Sequence, residues 1–524
     1  MPTRVLKRGS QMTDVLKLSR RGFMAATSVL IAGSTLGAVS AQTARKTLRI
    51  AAGEADGPKG TLDPAFSAVD PDSARVSLVY ERLVIQDDTF TPQPQLALSW
   101  ESNETADVWT FKLRQDVKFQ DGEPFTARHV VYTFRRLLDP ATGSPGTPSL
   151  SAIDGDKVEA VDDYTVRFTL KTPVVEFPSY LVNRFTYIVK EGQPTDQLRT
   201  AGIGTGPFKV EHYVPGEEPA IFVKNDTYWR PGLPKVDAVE LRSIPDPSAR
   251  IAAIAAGQVH VVWDLPRIGL ETLESNPDVH LIEVRAPFVM TLSFWTDTKP
   301  FDDVRVRQAL KAVVDREAVL KLVAGGHGTV AADNPVAPWI QYGLDEPAPK
   351  RDVARAKQLL AEAGYPDGID LELFTSGATP GFVELATLYQ GLAAEAGIRV
   401  KVTRTPDSEY WSNIWLKKPF ISSSWSGRDA DAALSVPYLS DADWNETHWK
   451  NPEFDGLIHE ARRTVDAAKR AELYQKAQKL LQEDGGVIIP VFVNSVAAAS
   501  AGVSGVKLYP QGHQKDFSEV DIGA

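Results

Sequence analysis

"WTFKLRQDVKFQDGEPFTARHVVYTF", Trp109 to Phe134, holds two periodicities in one stretch. In its first half Trp109, Phe111 and Leu113 alternate with Thr110, Lys112 and Arg114. A period of two predicts a half-exposed strand. In its second half, "TARHVVYTFRRLLD" spaces its apolar residues three and four apart behind Thr126, which predicts a capped amphipathic helix. "YTVRFTLKT", Tyr164 to Thr172, returns to alternation. Together these segments predict a compact insert of mixed strands and helices running from Ile85 to Thr172.

The flanks read differently. "TLRIAAG", Thr47 to Gly53, is a buried strand entering a loop, and "DSARVSLVYERLV" puts Val76, Val79, Tyr80 and Leu83 on one helical face. "PSARIAAIAAGQVHVVWDL" is a helix stopped at Gly257 with a buried strand after it, the αβ step of a parallel-type sheet. "DDVRVRQALKAVVDREAVLKLV" and "DVARAKQLLAEAGYPDG" are amphipathic helices, the second closing at Gly364 before Pro366. "IDLELFTS", "ELATLYQGLAAEAG" and "IRVKVTRT" form a β–α–β unit. "DAAKRAELYQKAQKLLQED" is a long helix, and "GGVIIPVFVNS" a buried strand behind it. Two αβ regions joined by returning segments predict two lobes with a cleft between them, where a ligand can be engulfed on nearly all sides.

Composition excludes several classes. The 524 residues carry a formal charge of −11, the wrong sign for a nucleic-acid partner. There is no cysteine, hence no disulfide, thiol catalysis, thiolate metal site or lipid on an N-terminal cysteine. At the N-terminus Arg20-Arg21 precedes an apolar run from Ala25 to Val39 and then Val39-Ser40-Ala41. That order is an export signal of twin-arginine type, cleaved after Ala41. The run falls short of the ~20 residues that span a bilayer.

The catalytic search is empty. No G-x-S-x-G occurs, and "GIGTGP" at Gly202 lacks a P-loop lysine and reads as a tight turn before a strand. Among eight histidines none pairs at metal spacing. His448, near Asp441, Asp443 and Glu446, is the best metal candidate and reads more simply as a loop histidine. No cofactor is implied. The aromatics are more informative: Trp295, Tyr410, Trp411, Trp415, Trp425, Trp444 and Trp449 lie in or beside loop-like segments. Trp and Tyr offer a ligand a flat apolar wall with one polar tip.

The chain resembles the solute-binding proteins of ABC importers, in the large peptide and nickel class, bacterial extracellular family 5. "LDP" at Leu62, the Trp109–Phe134 stretch, "GTGPFKV", "NDTYWR", "PFDDVRVRQAL" and "AKQLLAEAGYPDG" carry the likeness in shared order. The resemblance implies an α/β, two-lobed periplasmic-binding-protein-like clamshell of type II, with an extra α+β subdomain in the first lobe. Lobe 1 would comprise residues 42–83, 204–290 and 488–524, the extra subdomain 84–203, and lobe 2 291–487. The partners implied are a small-molecule or peptide-like ligand and a membrane permease. The protein would act as a periplasmic monomer, without a lipid anchor and without chemistry.

The resemblance also places "SSSWSGRDADAA", Ser422 to Ala433. Dipeptide- and oligopeptide-binding members hold the ligand's amino terminus with an aspartate three residues after the equivalent tryptophan. Here that residue is Arg428, so the anchor's sign is reversed. The arginine that dipeptide binders use for the carboxylate is missing from "PGFVELATLYQ", which has Phe382, Val383 and Glu384. A further family position, often asparagine, is Trp295. The expected ligand residues are Trp295, Tyr410, Trp425, Ser426, Gly427, Arg428, Asp431 and Trp444. Gly427 would let the backbone approach the ligand. The alternatives are a conventional di- or oligopeptide binder using Asp429 or Asp431 for the amine, and, more remotely, a periplasmic hydrolase. N-terminal sequencing of the exported protein is expected to start at Gln42; an intact Met1 on exported protein would overturn the signal reading.

Overall fold

Two strands longer than any read from the sequence organise the molecule. The computed structural model describes residues 45–53, 59–267 and 269–523; the twin-arginine signal and its cleavage site lie outside them. Val279–Phe294 and Val487–Ser500 pair antiparallel from Val279 opposite Ser500 to Ser293 opposite Val487. On one side Val279–Phe294 pairs with Phe420–Trp425, which leads to Ile369–Thr375 and Ile398–Arg404. On the other, Val487–Ser500 pairs with Val261–Val262, then come Thr47–Ala52, Ala238–Ser243, Ala220–Lys224 and Phe208–His212. One sheet therefore runs through both lobes, parallel at the β–α–β steps and antiparallel where the long strands cross.

Each lobe has its own core. In lobe 2 Leu292, Phe294, Leu310, Leu359, Leu373 and Phe420 meet between the sheet and its helices. In lobe 1 Leu48, Ile50, Val76, Phe208 and Leu241 do the same. The insert builds a third. Its antiparallel sheet runs Ala97–Ser102, Val108–Leu113, Thr165–Leu170, Ile153–Asp162, with the helix Ala127–Leu138 across it. Phe134 and Phe111 meet Phe168 edge-on at 4.9 and 5.5 Å between ring centroids.

Several local expectations are corrected. Thr126 stands at the helix start in extended conformation but makes no capping bond, and its buried hydroxyl has no partner among the described residues. The first helix is Asp70–Val79, so Tyr80 and Leu83 leave its face. The "GIGTGP" loop takes over there: Gly206 N–H donates to Val79 O at 2.9 Å, and a Cβ on Gly204 would lie 2.0 Å from that same oxygen. The glycines thus serve a close approach of two backbones. The helix expected across Asp302–Val323 is two, Val304–Ala312 and Arg316–Leu322, because Asp315 caps the second by accepting from Ala318 N–H at 3.0 Å.

The insert also reaches lobe 2. Val175 N–H donates to Arg462 O at 2.9 Å, and Tyr342 donates to Glu176 at 2.9 Å. Asp431, buried, takes a bidentate fork from Arg462 at 2.8 and 2.9 Å and hydroxyl bonds from Tyr474 at 3.0 Å and Tyr180 at 3.1 Å. Every acceptor position of this carboxylate is spent inside the protein. Asp431 is therefore corrected from ligand residue to clasp between insert and lobe 2. Removing one partner of a buried pair costs about 3–5 kcal/mol, because the other charge stays buried and unpaired. Asp431→Ala is expected to lose stability of that order in urea unfolding; a loss below about 1 kcal/mol would contradict the clasp.

Candidate ligand-binding cleft

The Ser422–Ala433 stretch folds as a strand end, a four-residue corner and a helix start. Phe420–Trp425 pairs antiparallel with Val279–Phe294, Trp425 standing opposite Val289. That is the end nearest the break in the long strand pair at Arg285–Pro287. The helix Ala430–Tyr438 follows, capped by Asp429, whose Oδ1 accepts from Ala432 N–H at 2.9 Å. The corner residues Ser426, Gly427 and Arg428 therefore sit where the lobes meet.

Arg428 is half-buried. Its guanidinium carbon lies 4.9 Å from the centroid of the Trp425 ring. Its Nη1 is buried and has no hydrogen-bond partner among the described residues. Burial pulls its pKa down to about 10, against the pull of Asp429, so it stays cationic at neutral pH. Gly427 is needed for another reason than the expected one. A Cβ there would lie 2.9 Å from Pro287 and 3.0 Å from Phe90, so the space belongs to the strand break and to the insert.

Ser426 is exposed on the wall of a cavity of about 210 Å³. Ser495 of the second long strand lines it too, with Asp70, Asp264, Tyr509 and Lys515 from lobe 1 and Arg184 from the extra subdomain. Lys515 pairs with Asp70 at 2.8 Å, and Arg184 donates to Ala68 O. The charge of Arg184 also bears on Arg428. The cavity wall thus carries two cations, Arg184 and Lys515, and two carboxylates, Asp70 and Asp264. These residues escaped the sequence reading, since they sit singly, without a motif, and reach the cleft only through the fold.

Trp425 is buried and belongs to an aromatic wall. Trp411, Trp415, Trp425 and Trp444 follow one another at centroid distances of 6.0 to 6.3 Å. Trp411 and Trp444 are each 44% exposed, while Trp425 is 8% exposed. Behind the wall lies Glu446, fully buried. Its Oε1 accepts from Trp425 Nε1 at 3.0 Å and Ser293 Oγ at 2.7 Å. Its Oε2 accepts from Trp415 Nε1 and Ser423 Oγ, both at 2.7 Å. Sequence reasoning met Glu446 only as a neighbour of His448; its place between Trp444 and Trp449 was the available signal.

Two expected residues stand elsewhere. Tyr410 is fully buried among Phe382, Ile414 and Ile421, and its hydroxyl donates to Ser422 O. It is corrected to a core residue. Trp295 lies six residues along the strand from Val289, roughly 20 Å at about 3.4 Å per residue. It stacks on His448 at 4.1 Å between centroids, and His448 faces Asp297 at 3.1 Å. Trp295 is not brought to Arg428. Trp425, Ser426, Gly427, Arg428 and Trp444 form the remaining group.

Comparison with known proteins agrees with this architecture. The family model "Bacterial extracellular solute-binding proteins, family 5 Middle" matches residues 91–446, and the chain belongs to that family. It is thus the substrate-binding component of an ABC importer, which captures a small solute between its lobes and passes it to a membrane permease. The glutathione-binding protein GsiB of Escherichia coli K12 is 29% identical over 468 residues, 86% of this chain and 90% of that one. The binding protein AgaA of A. tumefaciens R10, solved with agropinic acid, is 26% identical with a TM-score of 0.76, covering 91% of this chain and 99% of its own. MoaA of the same organism, solved with mannopinic acid, is 27% identical with a TM-score of 0.75, covering 92% and 100%.

The corner loop has a pH signature. Burial, with the charge of Asp431 beside it, pushes Asp429 up to about 7, while the Ala432 N–H bond and Arg428 pull it down. A carboxyl whose pKa is raised by folding binds its proton more tightly in the folded chain. Its contribution is then full below the ordinary value of 3.8 and is lost as pH rises through about 7. Asp429→Asn keeps a capping oxygen and removes the charge. Its stability relative to wild type is expected to improve steadily from pH 4 to pH 7 and level off above; a flat difference across that range would refute the shift.

Proposed function

We propose that the solute carries an anionic group, a carboxylate or its like, which Arg428 receives in the interlobe cleft. The observation that carries this reading is the buried, unpartnered Nη1 of Arg428. A buried donor without an acceptor costs stability, and a solute oxygen would relieve that cost. Arg184 lies on the cavity wall, and its charge bears on Arg428. The planar, permanently charged fork suits carboxylate geometry. The similar proteins solved with agropinic and mannopinic acids bind ligands of this sign. Trp425 supplies an apolar flank beside Arg428, and Ser426 a hydroxyl on the cavity wall. A cavity of about 210 Å³ is below the roughly 300–1,000 Å³ of drug-sized sites, which favours a small solute or a further parting of the lobes.

The rest of the reading follows from this role. Lobe 1 comprises residues 42–83, 204–290 and 488–524, the extra subdomain 84–203, and lobe 2 291–487. The break in the long strand pair supports the boundary near 290, and the separate insert core supports 84–203. The chain is exported by its twin-arginine signal, loses residues 1–41, and works in the periplasm as a monomer without lipid, nucleic acid or catalysis of its own. Conventional dipeptide capture through Asp431 is disfavoured, because that carboxylate is fully engaged.

Calorimetric titration with glutathione, agropinic acid and mannopinic acid tests the anchor, alongside mass spectrometry of whatever solute co-purifies from the native host. Losing a charge-assisted bond of about 1.5–3 kcal/mol means roughly ten- to a hundredfold weaker binding. Arg428→Ala is expected to show that loss for the solute that binds, while staying folded. Wild-type affinity in Arg428→Ala would end the anchoring role.

A further inference from the structure

We propose that the tryptophan wall is a cation subsite of the cleft. It would take an alkylammonium group on the same solute whose anionic group Arg428 holds, and in that respect it rests on the anion reading. The argument starts from Glu446. Two of its four partners are indole N–H groups, which donate and cannot accept, one to each carboxylate oxygen. Neither carboxylate oxygen can donate to its indole partner. Among the described residues no lysine, arginine or histidine hydrogen-bonds to it, although its charge bears on Arg428.

An indole whose N–H points at an anion has its ring face made more negative. Trp415 and Trp425 are both held this way. Each of these rings stands edge-on to Glu446 through its N–H, and a cation over the face of such a ring is attracted by the ring quadrupole. The protein already shows the preference, since Arg428 sits over Trp425 at 4.9 Å. Trp444 is 6.1 Å from Trp415 and 6.2 Å from Trp425, and it remains 44% exposed. A zwitterionic solute would then lie with its anion on Arg428 and its ammonium against Trp415 and Trp444.

The probe is tetramethylammonium, with tert-butanol as the neutral control of similar bulk. Heteronuclear NMR would follow the indole N–H resonances of the mature protein. Saturable shifts at Trp415 and Trp444 are expected with tetramethylammonium at millimolar concentration, and far smaller ones with tert-butanol. Glu446→Gln should weaken the tetramethylammonium response by about threefold or more. If that buried substitution unfolds the lobe, Trp444→Ala decides the matter: its ring is largely exposed, and its loss should abolish the response. Arg428→Ala should leave the response in place, which separates this subsite from the anion anchor. Equal shifts with both probes, no shift with either, or an unchanged response in Trp444→Ala would overturn the proposal.

Discussion

The antiparallel pairing of Val279–Phe294 with Val487–Ser500 is what makes two lobes one molecule. Each lobe completes its sheet on these strands, and neither core extends through them. The pairing is regular up to Val284 opposite Ser495 and resumes at Phe288 opposite Val493. Between them Arg285, Ala286 and Pro287 face the single residue Asn494. Proline has no N–H to give a ladder, so pairing must fail where it stands. The freed groups of Asn494 find other partners. Its N–H donates to His327 O at 3.1 Å, its carbonyl accepts from Arg267 Nε at 3.2 Å, and its side chain donates to Glu283 at 2.5 Å. A gap in a ladder is a natural place to bend, because few backbone bonds resist rotation there. The corner loop of Arg428 is packed against that gap through Gly427 and Pro287.

That arrangement explains which parts of the fold were legible. Two of the four strands of the insert's sheet, Val108–Leu113 and Thr165–Leu170, were legible because they are half-exposed and carry a period of two, while Ala97–Ser102 and Ile153–Asp162 were not read. Asp246, Asp352 and Asp466 accept from the first-turn N–H groups of their helices, so those starts carry a visible mark. The long strands were read poorly. Val279–Phe294 carries Ala286 and Pro287 in its middle, and from Val289 to Phe294 both faces are buried, so it does not alternate. Val487–Ser500 was seen only in its first half, because the small residues Ala497, Ala498 and Ala499 carry little strand signal.

The site divided in the same way. Arg428 stood out in the sequence because the family resemblance marks its position and its sign is reversed there. Tyr410 was misread because a polar sequence neighbourhood says nothing about where a ring points; its hydroxyl reaches a backbone carbonyl across the lobe 2 core. Asp431 was misread because its partners Tyr180, Arg462 and Tyr474 come from three distant segments. Glu446 was overlooked because a buried carboxylate without a cation is rare, and nothing in its local sequence announces the two indoles that make it tolerable.

Two charges with no ion-pair partner among the described residues thus meet one ring from different directions. Glu446 lies at the N–H edge of Trp425, and Arg428 over its face. The side chain between them must donate at one edge, accept nothing there, and present an aromatic face to a cation. Phenylalanine lacks the donor, so Glu446 would lose one of four bonds in a site with no water-exposed alternative. Tyrosine donates, but its hydroxyl also accepts and lies on the ring axis, at a different reach from an indole nitrogen. Histidine donates but brings its own titration. Tryptophan satisfies all three requirements, and it lets the protein keep an anion and a cation apart while each still feels the other through the ring. Among the described residues neither charge has a direct ion-pair partner, and the charge of Glu446 bears on Arg428.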